Sequence, residues 1–167
     1  MDIVYRKGKM QDLECINEMV FQAIEQMKCA GINQWDMLYP TDEDFRADIE
    51  NGTLYVGYMG IDLVVIYALN KEFDEEYKIG QWRENDKAFY VLHRLCVNPL
   101  YQNRGIGRAA MEHIEKEATL KGASAIRLDV FSQNPYALKL YTACGYEMVG
   151  KVEWRKGTFF LMEKYLA

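Results

Sequence analysis

Residues 92–108, with the sequence LHRLCVNPLYQNRGIGR, decide the fold of this chain. The apolar run that ends at Val97 predicts a strand, and Asn98-Pro99 forces the chain to turn. A loop with two glycines then leads directly into an amphipathic helix. The first backbone N–H groups of a helix lack intrahelical partners and lie at the positive end of its dipole. The stretch therefore predicts a pocket for a phosphate or pyrophosphate.

The glycines and arginines of this loop support that pocket without proving it. Gly105 and Gly107 leave room for close approach, and Arg104 and Arg108 add positive charge at the rim. A P-loop is excluded because no Gly-Lys-Ser/Thr follows, and a dinucleotide fingerprint needs a third glycine and a later acidic residue. A lone G-x-G also fits a tight turn beside solvated arginines, so a second motif has to decide.

Periodicity on either side of the loop predicts a mixed α/β chain. Neither repeats nor Pro/Gly/Ser-rich linkers divide the sequence, so we expect one domain over residues 1–167. A capping box at Thr41-Asp42-Glu43-Asp44 predicts the start of the second helix. The polar, non-periodic stretch Lys71–Lys87 predicts a surface loop that carries Trp82. The predicted elements are, in order, strand Ile3–Tyr5, a helix from Met10 to Gly31, a helix ending at Asn51-Gly52, strands Thr53–Met59, Leu63–Leu69 and Phe89–Val97, helix Gly105–Lys121, strand Ile126–Phe131, helix Pro135–Ala143, and strands Tyr146–Val152 and Thr158–Tyr165.

Composition excludes several classes of function. The chain has 167 residues, 50% hydrophobic, with a net charge of −5 and no basic run, so we expect no nucleic-acid partner. Its longest apolar runs are too short to cross a bilayer, and its N-terminus lacks a signal-peptide pattern, so we expect a cytoplasmic protein. The four cysteines and two histidines show no metal-like spacing, so we expect no metal.

Two motifs together resemble the GNAT superfamily of N-acetyltransferases. Gln102–Gly107 is similar to the family's Q/R-x-x-G-x-G/A signature, including the strand before it and the helix after it. Ile126–Tyr146 resembles the family's strand, asparagine, helix and L-Y-x-x-x-G-F/Y ending. The resemblance implies a single-domain α/β fold of the mixed α+β type. It also implies a mostly antiparallel, twisted sheet of about seven strands, splayed at two central parallel strands and flanked by four helices.

The resemblance also implies a function, namely acetyl transfer from acetyl-CoA to a primary amine by direct attack in a ternary complex. The two splayed strands would be Phe89–Val97 and Ile126–Phe131, with the pantetheine arm along the first and the pyrophosphate on the glycine loop. Asn134 matches the family's asparagine, although it would serve equally as a helix N-cap. The implied acetyl-CoA-binding residues are Leu95, Cys96, Val97, Gln102, Asn103, Arg104, Gly105, Ile106, Gly107, Arg108, Asn134 and Tyr141.

Acid, base and oxyanion donor are the chemical groups that such a transfer requires. Tyr141 matches the family's tyrosine near the coenzyme sulfur, where a phenol can donate a proton to the departing thiolate; a purely structural tyrosine is the alternative. A backbone N–H around Leu95 would bind the developing oxyanion. The base stays open. His93 has the right intrinsic pKa, while Asp129 and Glu72 are alternatives that act through water.

The acceptor is expected to be a small-molecule amine. An aromatic wall holds a cationic amine by cation–π contact, and nearby acidic side chains would attract it. A protein N-terminus or lysine side chain is the alternative acceptor, and a non-catalytic acetyl-CoA sensor or a nucleotide site is a weaker alternative. A homodimer is possible. The predicted wall residues are Trp35, Tyr39, Tyr67 and Trp82, and the predicted acidic residues are Glu72, Asp74, Glu75 and Glu76.

Overall fold

The computed structural model describes residues 2–83 and 87–166 of the chain. Within these ranges it has seven strands and four α-helices, in the predicted order. Their bounds are β1 Val4–Lys7, α1 Leu13–Cys29, α2 Asp42–Glu50, β2 Leu54–Met59, β3 Asp62–Asn70, β4 Phe89–Val97, α3 Ile106–Leu120, β5 Ala125–Phe131, α4 Pro135–Ala143, β6 Glu147–Trp154 and β7 Gly157–Tyr165.

The strands form one sheet in the order β1-β2-β3-β4-β5-β7-β6. The pairs β1–β2, β2–β3, β5–β7 and β6–β7 are antiparallel. Strands β4 and β5 are parallel, with Phe89–Val91 in register with Ala125–Arg127. The predicted mixed α/β fold, with a mostly antiparallel sheet and a central parallel pair, is confirmed.

Residues 2–69 and 93–107 form one compact unit, the first unit. The apolar stripe of α1 packs on the β2–β3 hairpin, and Ile16 is fully buried in this core. Helix α2 begins at the predicted capping box, because Thr41 Oγ1 accepts from the Asp44 N–H at 3.3 Å and Asp44 Oδ2 accepts from the Thr41 N–H at 2.7 Å. The side chain of Phe45 is buried on the inner face of α2. The local patterns in this unit therefore predict its structure correctly.

A buried ionic cluster joins the start of α1 to strands β1 and β2 in the first unit. Arg6 Nη1 and Nη2 donate to the two carboxylate oxygens of Asp12, each at 2.7 Å, and Tyr58 Oη donates to the same carboxylate at 2.8 Å. The Lys9 N–H donates to Asp12 at 2.7 Å. Burial opposes ionisation of Asp12, but these hydrogen bonds outweigh it and lower its pKa to about 2.

Residues 70–83, 87–92 and 108–166 form the second unit. The segment Asn70–Arg83 is more ordered than the predicted surface loop, and Glu84–Asp86 of that prediction lie outside the described residues. It contains a 3₁₀ turn over Glu75–Ile79 and buries the side chains of Tyr77 and Trp82. Because these two aromatics stand alone among polar residues, periodicity gives no signal of their burial.

An ion pair beneath this segment is buried in the second unit. Arg127 Nε donates to Glu163 Oε2 at 3.0 Å, and both side chains are 6% exposed or less. The other carboxylate oxygen of Glu163 accepts from the Arg83 N–H at 3.0 Å. The Arg127 guanidinium also lies over the rings of Trp82 and Phe89, with its central carbon 4.5 and 3.8 Å from the ring centres. One ion pair thus connects β5, β7 and the segment.

Candidate active site

The loop after β4 is attached to β3 by its first residues, all within the first unit. Asn98 N–H donates to the Val64 carbonyl at 2.8 Å, and Asn98 Nδ2 donates to the Leu63 carbonyl at 2.8 Å. Asn98 Oδ1 also caps the short turn Pro99–Tyr101 by accepting from the Leu100 N–H at 3.0 Å. Tyr101 Oη donates to Asp62. These bonds fix the position of the loop and leave its next residues for other partners.

The following residues form a solvent-exposed loop that leads into α3. Residues 102–105 are solvent-exposed, whereas the side chain of Ile106 is buried. Asn103 and Gly105 adopt positive φ angles of 62° and 80°. Asparagine and glycine tolerate this left-handed conformation best, which explains their place in the motif. The helix begins at Ile106, so exposed backbone amides lie at its positive end, as an anion site requires.

Two arginines flank these amides. The Arg104 guanidinium lies over the Tyr101 ring, 5.1 Å from its centre. Arg108 Nε is 3.6 Å from Glu112 Oε1, one turn further along the exposed surface of α3. Because an exposed i,i+4 pair is weak and solvated, Glu112 leaves most of the positive field at the rim intact.

Strand β4 contains a backbone irregularity next to the predicted oxyanion donor. Arg94 has a φ of 55°, which is uncommon for a residue with a side chain. Leu95, which follows it, and His93, which precedes it, are both half-buried. Cys96 is buried, and burial raises the pKa of its thiol to about 12. This thiol therefore stays protonated near neutral pH.

A second buried ionic cluster connects Arg94 to α2 and to the α1–α2 loop. Arg94 Nε and Nη2 donate to the two carboxylate oxygens of Asp48 at 2.8 and 2.6 Å, and Arg94 Nη1 donates to Tyr39 Oη at 2.9 Å. Burial works against the charge of Arg94, but Tyr39 and Asp48 raise its pKa overall. The sequence analysis identified neither Arg94 nor Asp48, although an arginine inside the apolar strand 89–97 is a signal of a buried partner.

The structure places the predicted acceptor-wall residues in different surroundings. Trp35 and Tyr39 lie in the α1–α2 loop of the first unit, where Trp35 packs against the core and Tyr39 is 39% exposed. Tyr67 is fully buried and stacks on Tyr55, with ring centres 5.1 Å apart. That burial weighs against direct contact between Tyr67 and an acceptor. Trp82 belongs to the second unit, where its Nε1 donates to the Tyr77 carbonyl at 2.7 Å.

Tyr141 and Asp129 lie in the second unit and influence each other electrostatically. Tyr141 is buried on α4, and its ring packs against that of Tyr146 in a T-shaped arrangement, with the ring centres 5.9 Å apart. Burial raises the pKa of Tyr141, and the negative charge of Asp129 adds to the shift. Tyr77 Oη donates to Asp129 Oδ2 at 2.5 Å. The phenol of Tyr141 is therefore protonated throughout the physiological pH range.

Two further features of the second unit involve residues or segments predicted for the site. Asn134 is the N-cap of α4, since its Oδ1 accepts from the Ala137 N–H at 3.1 Å, as the capping alternative predicted. Beside the buried Tyr77 is a cavity of about 300 Å³. It is lined by Phe73, Tyr77, Lys78, Trp82, Phe89 and Arg127. The predicted acidic residues Glu72, Asp74, Glu75 and Glu76 are exposed on the same segment.

Residues 2–83 and 87–166 contain neither a metal-binding group nor a membrane-spanning helix. Within these ranges, no three His, Cys, Asp or Glu side chains are grouped closely enough to hold a metal ion. No helix in the same part of the chain has the length and apolar character needed to span a bilayer.

Comparison with known proteins establishes the family. The family model described as Acetyltransferase (GNAT) family matches residues 21–146. The chain therefore belongs to the GNAT family of acetyltransferases. The resemblance in the two motifs is confirmed.

Three relatives illustrate the range of the similarity. A GNAT-family acetyltransferase from Streptococcus agalactiae has a similar structure, with a TM-score of 0.85 and 21% identity over 98% of this chain and 95% of that chain. The Salmonella typhimurium protein yncA, solved with its cofactor acetyl-CoA, has a TM-score of 0.69 and 15% identity over 99% and 94% of the two chains. The [ribosomal protein bS18]-alanine N-acetyltransferase of Escherichia coli K12 is 36% identical over 56 residues, which are 34% of this chain and 38% of that protein. The match thus spans less than half of this curated relative.

Proposed function

We propose that the protein transfers the acetyl group of acetyl-CoA to a primary amine by direct attack within a ternary complex. The observation that carries the proposal is the solvent-exposed loop of residues 102–105, with positive φ angles at Asn103 and Gly105, at the start of α3 in a chain of the GNAT family. The proposed acetyl-CoA-binding residues are those of the glycine loop, the end of β4, Asn134 and Tyr141.

Each chemical step is assigned to a group of this chain. The neutral amine attacks the thioester carbonyl, and the backbone N–H of Leu95 is the proposed donor to the oxyanion. The carbon–sulfur bond then breaks, and Tyr141 donates a hydrogen bond and a proton to the departing thiolate. The amine proton passes to a base, which restores Tyr141 through solvent. Because the buried thiol of Cys96 stays protonated, direct transfer is favoured over an acetylated cysteine on β4.

His93 is our first candidate for the base, because it is half-buried on β4 one residue before Arg94. Asp129 is the second candidate, since it already accepts a hydrogen bond from Tyr77 and influences Tyr141. Glu72 is the third, on an exposed position after β3. Replacement of each by its amide or by glutamine separates them, because only the base variant loses the low-pH limb of the rate profile.

A small-molecule acceptor is supported by the segment Asn70–Arg83. Its aromatic residues line a cavity of about 300 Å³, near the lower end of the volumes of small-molecule sites. A protein N-terminal amine is the second candidate acceptor, favoured by the similarity to the bS18-alanine enzyme over 56 residues. We also propose a cytoplasmic location, which is supported by four free cysteines, two of them exposed. The homodimer stays a prediction.

An acceptor screen tests the proposal. Purified protein and acetyl-CoA are incubated with polyamines, amino sugars and peptides with free α-amines, including alanine-ended peptides, and CoA release is measured. We expect at least one amine to be acetylated. CoA release with peptides but with no small amine would favour the second candidate acceptor, a protein N-terminal amine. Acetyl-CoA binding without release in any incubation would favour the sensor alternative.

A matched glycine pair tests the coenzyme site. Gly105 and Gly122 flank α3 and have φ angles of 80° and 86°, so alanine strains the backbone similarly at both positions. Gly122→Ala places its Cβ in open space. We expect Gly105→Ala to weaken acetyl-CoA binding about tenfold or more, a loss of about 1.4 kcal/mol, and Gly122→Ala to leave it unchanged. Equal binding by both variants would exclude the loop as the diphosphate site.

A further inference from the structure

The backbone of β4 at Arg94 requires support from its surroundings. A residue with a side chain at a positive φ is strained and persists only where neighbouring groups hold it. Arg94 has a φ of 55° and immediately precedes Leu95, whose N–H is the proposed oxyanion donor. The direction of that N–H therefore depends on what holds Arg94 in this conformation.

Contacts of the Arg94 side chain provide the support. All three of its guanidinium nitrogens have a partner, two on the Asp48 carboxylate and one on Tyr39 Oη. The side chains of Arg94 and Asp48 are 14% and 8% exposed. An apolar pair of similar volume would stabilise the fold at least as well. A bidentate pair additionally fixes distance and orientation, because the planar guanidinium matches the carboxylate at two points.

The same guanidinium restrains the loop between α1 and α2. Tyr39 lies near the end of this loop and has its ring centre 5.9 Å from the Arg94 guanidinium carbon. Trp35, further back in the loop, packs against the core of the first unit. Asp36 and Tyr39 form a short backbone bridge, so movement of Tyr39 displaces the middle of the loop.

We propose that Arg94 is a positioning residue that couples the α1–α2 loop to the kinked backbone of β4, and thereby sets both acceptor affinity and the oxyanion geometry. The proposal deepens the proposed function and rests on it, since it assumes that the acceptor contacts the loop carrying Trp35 and Tyr39. Asp48 orients the guanidinium, and Tyr39 transmits its position to the loop. Arg94 itself need not touch either substrate.

Two substitutions separate the roles of the cluster. Arg94→Lys keeps the charge but loses the fork, so we expect KM for the acceptor to rise about tenfold and kcat to fall about tenfold, each equivalent to about 1.4 kcal/mol. Tyr39→Phe removes a single hydroxyl, so we expect a higher acceptor KM with nearly unchanged kcat. In both variants KM for acetyl-CoA should stay within about twofold, since the glycine loop is intact.

The Arg6–Asp12–Tyr58 cluster supplies matched controls in the same unit. It also has a bidentate arginine–aspartate pair joined by a tyrosine hydroxyl, although Tyr58 Oη donates to the Asp12 carboxylate whereas Tyr39 Oη accepts from the Arg94 guanidinium. The cluster contains neither β4 nor the α1–α2 loop. Arg6→Lys and Tyr58→Phe should lower stability comparably to Arg94→Lys and Tyr39→Phe while leaving both KM values and kcat unchanged. Equal kinetic effects in the two clusters would reduce Arg94 to a structural role and overturn the proposal.

Hydrogen exchange tests the coupling independently of activity. We expect Arg94→Lys and Tyr39→Phe to speed exchange of the backbone amides in residues 33–39 at least about fivefold, whereas the Arg6 and Tyr58 variants should leave it unchanged. Unchanged exchange in both Arg94→Lys and Tyr39→Phe would refute the coupling even if no acceptor is found. Faster exchange without any acetylated amine would uphold the coupling and count against the proposed function alone. If Arg94→Lys fails to fold, Tyr39→Phe decides by itself.

Discussion

The chemistry of single residues depends strongly on their burial in this protein. Tyr141 is buried, and its raised pKa makes it a dependable hydrogen-bond donor but a poor acid. A fully protonated phenol can donate a hydrogen bond to the departing sulfur as negative charge develops on it, and the proton is transferred only as the carbon–sulfur bond breaks. Its protonation state therefore suits the hydrogen-bond donation of the proposed role, whereas its raised pKa opposes full proton transfer.

Tyr141→Phe should therefore lower kcat at least about tenfold. This minimum is smaller than the roughly hundredfold effect expected of a full general acid, because Tyr141 is a weak acid. KM for acetyl-CoA should change little, since the ring that packs against Tyr146 is kept. Because the Tyr141 pKa is raised, wild-type activity should show no loss from Tyr141 ionisation between pH 7 and 9. Steady-state kinetics across this range measure both effects. Wild-type turnover in Tyr141→Phe would leave the tyrosine a packing role only.

The structural role of a residue can be predicted from sequence where the residue belongs to a local motif. It cannot be predicted where the role depends on a tertiary contact. Asn134 is the helix cap that its position before Pro135 predicts. Arg94 and Asp48 are 46 residues apart in sequence, and their pairing depends on the packing of α2, so no local pattern contains it. Tyr67 is predicted to line the acceptor site because it is aromatic. Its neighbours along β3 are buried on both faces of the strand, so its ring packs in the core.

At the scale of elements, local patterns predict the regular structure well and the segment Asn70–Arg83 poorly. The strand Phe89–Val97 and the helix Pro135–Ala143 have the predicted bounds. The segment was expected as a surface loop because its composition is polar. Its conformation instead depends on the Arg127–Glu163 pair and on two isolated aromatic rings. Such contacts join distant parts of the sequence and leave no periodic signal.

Glu163→Gln tests the contribution of this pair, because glutamine can still accept from the Arg83 N–H while the negative charge is lost. The buried Arg127 charge is then uncompensated, so we expect a loss of about 3 kcal/mol in the free energy of unfolding. Lys28→Gln is the control, since the Lys28–Glu25 pair is more than half exposed and should contribute less than about 0.5 kcal/mol. Urea unfolding measures both, and similar losses would contradict a special role for the buried pair.

For the molecule as a whole, family and fold follow from two motifs and the element order, whereas the acceptor does not. The glycine loop and the Ile126–Tyr146 segment carry the two family motifs and are proposed to bind acetyl-CoA, and the backbone geometry at the start of each helix constrains their sequence. The residues proposed for the acceptor site lie in loops and carry no motif that specifies one amine. The sequence therefore predicts the class of reaction but does not predict which amine is the acceptor.

The stability of the whole chain should depend on pH through Asp12. Its pKa is about 2 in the folded protein against an ordinary value of 3.8. A depressed carboxyl pKa contributes stability that is fully present above about pH 4 and is lost as pH falls from 4 to 2, here about 2 kcal/mol. The difference in unfolding free energy between wild type and Asp12→Asn should therefore shrink between pH 6 and pH 3. A difference independent of pH would contradict this assignment.

The two compact units alternate along the sequence, and this has a consequence for the design of fragments of this protein. The polypeptide passes from one unit to the other after residues 69, 92 and 107. A break at any single peptide bond consequently leaves at least one unit short of part of its sequence. Truncated chains and half-length fragments should be insoluble or inactive. Two complementary fragments that are expressed together contain the whole sequence of both units and can therefore reassemble.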